Sequence, residues 1–574
     1  MQKKINFNPF RIPYYIFLFL TIFSVGLLSA NFVEATDYVR YVDTDISDEY
    51  YGSASPDCND YSPNLGVCGG GNAKAYRSLR DVNKFFNTLN SSDTAVVYFK
   101  RGNIWTYSSN DDIIKINCSN ITIDAFGIGE KPIFDGNSQY PMGVTKSGIP
   151  YMYAIMVGDQ AGHKISNVYI RNLRIQNMSP GGGVFFAGTG SSNGYFTSSG
   201  SVENCELYNI GWSGIVIYRV PNAFGSEHAI KIEFNHLDNL MTYQRQGAQG
   251  IQSNDGYSYG HECRYNLVER ANNSGIGVGG FSITEYNFIS DCDGPSIYIG
   301  HAQGGGSNFN KIVRYNICLE KSGGKYPGHT EIRIDDEKSV GDNTNTEIEV
   351  YGNIVVGGYA GISIRNNPTD GKEWSPFGLV KIYNNTLIDN KYNMLTKFNE
   401  RFKNVVIKNN ALIINSDAES TSNHLVAWSV GNWQNWNWGP NFYSGGNLPN
   451  LPFYNVNVDE AKKDSLLKKT KDWKNITSLN DFSFSDLCPI EGSPLVDNPK
   501  AHSISKNSGY QNNFLTSGTE YKNLPASFKI LKANQEEQGK YWDFGAIIFN
   551  YGDNSSQALP YAPTGIKAFA AKKF

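Results

Sequence analysis

Tyr298, His301, Arg333, Asp335 and Asp255 are the side chains of this chain whose types and spacing suit proton transfer on a bound anionic ligand, with Arg365 and Asn254 placed to hold it. They come together when six short segments are aligned on their apolar alternation, starting at Gly214, Gly250, Gly275, Ser296, Glu331 and Gly361. The second position of every segment is Ile, and the fourth is Ile or Val in all but one. Side chains of a strand alternate faces, so these positions point into a core and the first, third and fifth point outward. Reading the third, fifth and sixth columns gives Gln252, Asn254 and Asp255, then Gly277, Gly279 and Gly280, then Tyr298, Gly300 and His301. Arg333, Asp335 and Asp336 follow, and after them Ser363, Arg365 and Asn366. Arginine forks suit a carboxylate, and His, Tyr and Asp are the usual proton carriers. The glycine row is expected to leave a hollow between Asp255 and His301 large enough for a sugar ring. The bland alternative is that outward residues of a solenoid are polar by default, with Asp335 and Arg365 an ordinary cross-strand pair.

The elements that must hold such a wall are announced by a recurring phrase, a run of β-formers, then Asn, then two or three apolar residues and a turn. It stands at Asn172, Asn204, Asn235, Asn266, Asn287, Asn316, Asn353, Asn385 and Asn410. An irregular period of this length marks a solenoid whose units share a core and carry insertions. Short strands stacking on their equivalents predict an all-β fold, a right-handed parallel β-helix. The Asn side chains are expected to stack in a tight turn. An open end would expose strand edges, and Leu79, Val82, Phe85, Phe86 and Leu89 at helical spacing within Tyr76 to Asn90 predict an N-terminal capping helix. The chain thus divides into an export segment over 1–35, an N-terminal cap region over 36–110, the β-helix over 111–450 and a mixed C-terminal cap region over 451–574.

Tyr41-Val-Asp, the helix opening Tyr76-Arg-Ser-Leu, Val96-Val-Tyr-Phe-Lys-Arg-Gly102 before Trp105, the repeat, Gly492-Ser-Pro-Leu-Val-Asp497 and Asp543-Phe-Gly-Ala546 are the further landmarks. With them the chain resembles secreted bacterial β-helix proteins of the pectate lyase-like superfamily. The resemblance implies action on polysaccharide, and the superfamily spans lyases, glycoside hydrolases and adhesins. Against the polygalacturonase wall the order Asn254-Asp255, Gly279-Gly280, Gly300-His301-Ala302, Arg333-Ile334-Asp335 is similar, but Gly-Gly replaces paired acids and Asp replaces Lys. Asp255 and Asp335 lie three rungs apart, about 14 Å, beyond the separation that hydrolysis of a glycoside uses. A lyase acting by β-elimination on a uronate polymer is therefore the leading expectation. A hydrolase and a non-catalytic glycan-binding surface protein stay open. Lyases of this fold often use calcium, for which Asp335, Asp336 and Glu337 offer oxygens, and a solvated turn is the plainer reading of that triplet.

Composition agrees with short strands and turns, with 58 Gly, 36 Tyr, 32 Phe and 18% charged residues in 574. A net charge of −4 argues against nucleic acid as a partner. Lys3, Lys4 and Arg11 precede an apolar stretch from Ile12 to Ala30, the pattern of a secretory signal, or of an uncleaved anchor. Either places the body outside the cytoplasm, as a secreted, periplasmic or cell-surface monomer. Cys58 and Cys68 are expected to pair; Cys205, Cys263, Cys292 and Cys318 read as core filler. Trp433 and Trp436 sit in a Trp-rich loop and are expected to stack on sugar, the alternative being that they pack the loop down.

Overall fold

The structure is a computed structural model that describes residues 35–457 and, beyond them, only 512–513 and 532–533. Within 35–457 the description omits 47–56, 70, 139–152, 159–164, 189–195, 219, 221–228, 244–247, 255–259, 301–309, 321–330, 337–345, 367–377, 398–401, 403, 415–423, 429–435, 439–440 and 445–454. The described strands form three long ladders of 15, 13 and 11 strands. A single turn of the coil shows the plan: Ile230–Glu233 in the first sheet, His236–Leu240 in the second and Gln249–Asn254 in the third. Each strand pairs in parallel with its equivalent one turn on, as Ile232 does with Cys263 and Leu237 with Val268. This is a right-handed parallel β-helix, the hand that parallel crossovers take. Its ladders reach back to Asp37–Val42, Thr94–Lys100 and Ile104–Thr106.

Alternation produces the core. Along the second sheet the second residue of the strand, such as Leu207, Leu237, Val268, Ile289 or Cys318, faces inward and is fully buried. It joins one interior cluster running from Val42 to Tyr443. Cys205, Cys263, Cys292 and Cys318 lie there as free thiols, and burial pushes Cys205 and Cys318 up to about 12. Cys58 and Cys68 are joined in a disulfide.

The Asn phrase builds a ladder at the corner between the first and second sheets. From Asn235 through Asn266, Asn287, Asn316, Asn353, Asn385 and Asn410 to Asn441, each side-chain amide donates to the next Oδ1 at 2.9–3.0 Å. The backbone N–H of each donates to the same oxygen, as Asn287 N does to Asn316 Oδ1 at 3.0 Å. The residue before each ladder Asn from Asn235 to Asn410 takes a left-handed conformation, among them Phe234, Tyr265, Tyr286 and Tyr315. Such conformations are uncommon outside glycine; here the ladder on one side and ring stacking at 5.0–5.2 Å on the other hold them. Asn172 and Asn204 differ from expectation, because they occupy that left-handed position themselves, with φ of 60° and 50°. Leu173 and Cys205 stand at the ladder position, and the Cys205 amide donates to Asn235 Oδ1 at 2.9 Å.

The N-terminal helix spans Leu79–Phe86, capped by Ser78, whose hydroxyl accepts from the Asp81 amide. Leu79, Val82, Phe85 and Phe86 enter the interior cluster. It is shorter than the Tyr76 to Asn90 stripe because the Thr88 and Leu89 amides close tighter turns onto Phe85 and Phe86. No helix of the described residues is long and apolar enough to cross a membrane; the apolar N-terminal stretch lies outside them, as does the C-terminal cap region except for its few strand residues.

Candidate functional site on the third sheet

The third-sheet register matches the alignment made from sequence. Ile251 pairs with Ile276, Ile276 with Ile297, Ile297 with Ile332 and Ile332 with Ile362. Tyr298 therefore lies beside Arg333, Arg333 beside Ser363, and Asp335 beside Arg365. The structure brings these side chains onto one face.

What organises them was not singled out from sequence. Glu331, the residue before its strand Ile332–Asp336, is fully buried. It accepts from Arg333 Nε and Nη2, both at 2.7 Å, and from Arg365 Nη2 at 3.2 and 3.3 Å. The two arginines, expected to be free for a ligand, are thus clamped by one carboxylate of the protein. A buried carboxylate is costly unless paired and hydrogen-bonded, and two guanidinium groups supply both. Two positive charges meet one negative at Glu331, and each arginine side chain keeps about a fifth of its surface exposed. The clamp fixes long side chains that would otherwise lose rotamer freedom on meeting a ligand. Among the described residues, Arg365 Nε and Ser363 Oγ are buried without a hydrogen-bond partner. The available signal was positional: Glu331 stands where four of the six aligned segments carry Gly and one Ser.

The space beside Gly277, the first of the glycine row, is filled. A Cβ on Gly277 would lie 1.5 Å from Gln249 Oε1, so the Gln249 side chain occupies that space. The Gln249 backbone N–H donates to Ser213 Oγ, which in turn donates to Gln252 Oε1 at 3.0 Å. The Tyr298 ring folds over Gly300, whose Cβ would meet ring atoms at 2.4 Å and the hydroxyl at 3.1 Å. The phenol is thereby aimed along its strand toward the end from which His301 continues.

Behind this wall lies a lysine that pattern reading passed over, because it opens the following first-sheet strand. Lys311, 2% exposed, donates from Nζ to the carbonyls of Gly279 at 2.9 Å and Gly300 at 3.4 Å. Those two residues share one wall column on successive rungs, so a single ammonium ties them together from the inside. Burial lowers Lys311 from 10.5 to about 7. His261 does similar work at the same corner two turns earlier, accepting from the Ile230 amide at Nδ1 and donating from Nε2 to the Val220 carbonyl, and burial lowers it to about 4. Between pH 7 and 10.5 the unfolded chain binds a proton at Lys311 that the native state does not. The lysine's contribution to stability therefore rises with pH across that window, by about 1.4 kcal/mol per unit. Urea unfolding at pH 7, 8 and 9 should show the parent gaining stability over Lys311→Met by this slope; a difference that does not change with pH would refute it.

Trp436 corrects an expectation: it is buried, its indole N–H donates to the Phe402 carbonyl at 2.7 Å, and its ring packs near Trp438. It fills the core and offers no face to a sugar. His301, Asp255, Trp433 and Glu337 lie outside the described residues, as do the side chains of Asn254 and Asp336. Asp335 is described and buried. Among the described residues, metal-ligating atoms gather at Cys58, Asp60 and Cys68, where the two sulfurs are already bonded to each other.

No family model matches the chain and no curated protein matches it. Among solved structures it is similar to pectate lyase Pel9A, at 12% identity and a TM-score of 0.36 over 90% of this chain and 96% of that one. It is also similar to the GH136 lacto-N-biosidase from Eubacterium ramulus, at 13% identity and 0.34 over 74% and 71%. A third is tailspike protein gp49 from Acinetobacter baumannii bacteriophage Fri1, a capsular polysaccharide depolymerase, at 9% identity and 0.26 over 75% and 66%.

Proposed function

We propose that the protein is an exported polysaccharide-active enzyme, a lyase that cuts a uronate-containing polymer by β-elimination along the third-sheet wall. The observation that supports this is the pair of arginines held on one buried carboxylate beside Tyr298. Elimination requires the substrate carboxylate to be neutralised, so that the adjacent C–H becomes acidic and the developing charge is stabilised. Arg333 and Arg365 present preset cationic edges for this, held in place by Glu331. A base then takes the C–H proton, the electron pair forms the C=C bond, the glycosidic C–O bond breaks, and the leaving oxygen takes a proton. The two proton-transfer roles fall to Tyr298 and His301, with Asp335 and Asp255 as further candidates for them and Asn254 for contact with the polymer.

Incubating purified protein with alginate, pectate and glycosaminoglycans, with and without calcium, tests the reading. Absorbance of an unsaturated uronate product should appear on at least one polymer. New reducing ends without that absorbance would make it a hydrolase, and binding without any cleavage would make it a glycan-binding protein. On a productive polymer, Arg333→Lys should lose most activity, about tenfold or more, because a point charge replaces the fork.

A further inference from the structure

The inward column of the first sheet that contains Lys311 continues with Ile348, Val380 and Val405 in register. Those three are apolar and at most 2% exposed, as a coil interior requires. Lys311, buried to the same degree, is the polar exception. An ammonium in that setting is costly unless hydrogen-bonded, and an apolar side chain of similar length would fill the same space. Its bonds, and not its bulk, account for its presence. Its two carbonyl partners lie where the third-sheet ladder gives out. The strands Ser274–Gly277 and Ile297–Ile299 pair as far as Gly277 with Tyr298. One further bond follows, from the Val278 N–H to the Tyr298 carbonyl at 2.8 Å. The Lys311 ammonium then joins the carbonyls of Gly279 and Gly300, at 2.9 and 3.4 Å. Gly300 is also the seat of the Tyr298 ring. A Cβ there would lie 2.4 Å from ring Cε1 and 3.0 Å from Cζ, so the ring keeps its place only over a glycine held at this position. Arg333 flanks the same tyrosine on the next rung.

We propose that Lys311 is a positioning residue for Tyr298, acting from inside the coil through Gly300. The inference rests on the reading of Tyr298 as a proton-transfer group. The ammonium fixes the Gly300 backbone, Gly300 seats the ring, and the ring sets the distance of the phenol from a substrate C–H or leaving oxygen. Support of this kind, from a residue that never meets substrate, holds a reacting group within its working geometry. Arg333 and Arg365 are held separately, by Glu331. Lys311 therefore governs the rate of proton transfer and leaves substrate binding to the arginines.

On a productive polymer Lys311→Met should lower kcat about tenfold or more, since a misplacement of about 1 Å at a reacting group costs up to about a hundredfold. KM should stay within about twofold, because the interaction lost is one made in the transition state. A parent-like kcat, or a raised KM with kcat unchanged, would overturn the inference. A second measurement does not depend on turnover: 3-fluorotyrosine placed at 298 reports the ring by fluorine NMR. Its resonance should move in Lys311→Met and in Gly300→Ala and stay in place in Arg270→Ala. A parent-like resonance in Lys311→Met overturns the inference whether or not any polymer is cleaved. A moved resonance in a protein whose parent yields no unsaturated product leaves the positioning intact and sinks the lyase reading instead. Where Lys311→Met does not fold, Gly300→Ala carries both measurements, and parent-like values there are equally fatal.

Discussion

Glu331→Ala is expected to be among the most damaging single substitutions in the protein, costing about 3 to 5 kcal/mol, because it leaves two guanidinium groups without the charge that holds them. The effect should be asymmetric. Arg365→Ala alone still leaves Glu331 with two bonds from Arg333 at 2.7 Å, so it should cost less than the loss of their shared acceptor. Denaturant titration of both variants and their double mutant would show strong non-additivity, since all three groups form one network. If Glu331→Ala unfolds at the parent's midpoint, the clamp does not hold the wall.

The second large effect is expected at the Asn ladder. Asn316 Oδ1 accepts both the backbone and the side-chain N–H of Asn287, and Asn316 Nδ2 donates to the carbonyls of Thr284 and Arg314. Asn316→Ala removes the acceptor of a buried backbone amide and a donor to a buried carbonyl. At about 1 to 3 kcal/mol for each group left unmade, the loss should be about 3 kcal/mol or more. Asp and Ser are poor replacements: Asp supplies no side-chain donor, and the Ser hydroxyl is too short to span the turn. Thermal unfolding should separate these variants clearly from substitutions at Asn172, which lies off the ladder and is only partly buried.

The fold was legible because a solenoid repeats its instructions. One Asn per turn and Ile at every second position of the third-sheet segments set the rung register, and Arg333, Tyr298 and Asp335 fell into place beside their observed neighbours. Where pattern reading failed, the reason was tertiary. Whether Arg333 and Arg365 faced a ligand or Glu331 depended on how far each side chain reaches across rungs, which alignment columns do not contain. Gly277 read as empty space because the column omits Gln249, which enters from the start of the preceding strand. Lys311 stands outside the aligned columns, and only the closure of the coil carries its ammonium beneath Gly279 and Gly300. Asn172 and Asn204 match the phrase by residue type yet sit one position early, a shift that only the backbone dihedrals reveal.

The most direct test of the account is the specificity constant on whichever acidic polymer yields unsaturated product, measured for the parent, Arg333→Ala and Arg270→Ala. Arg270 pairs with Asp238 on the outer face of the second sheet and is more than half exposed, so it controls for loss of surface charge. The account predicts that kcat/KM falls about a hundredfold or more for Arg333→Ala, the scale of losing a preorganised electrostatic donor, while Arg270→Ala stays within about twofold. A folded Arg333→Ala protein that turns over the polymer at the parent's rate would contradict it.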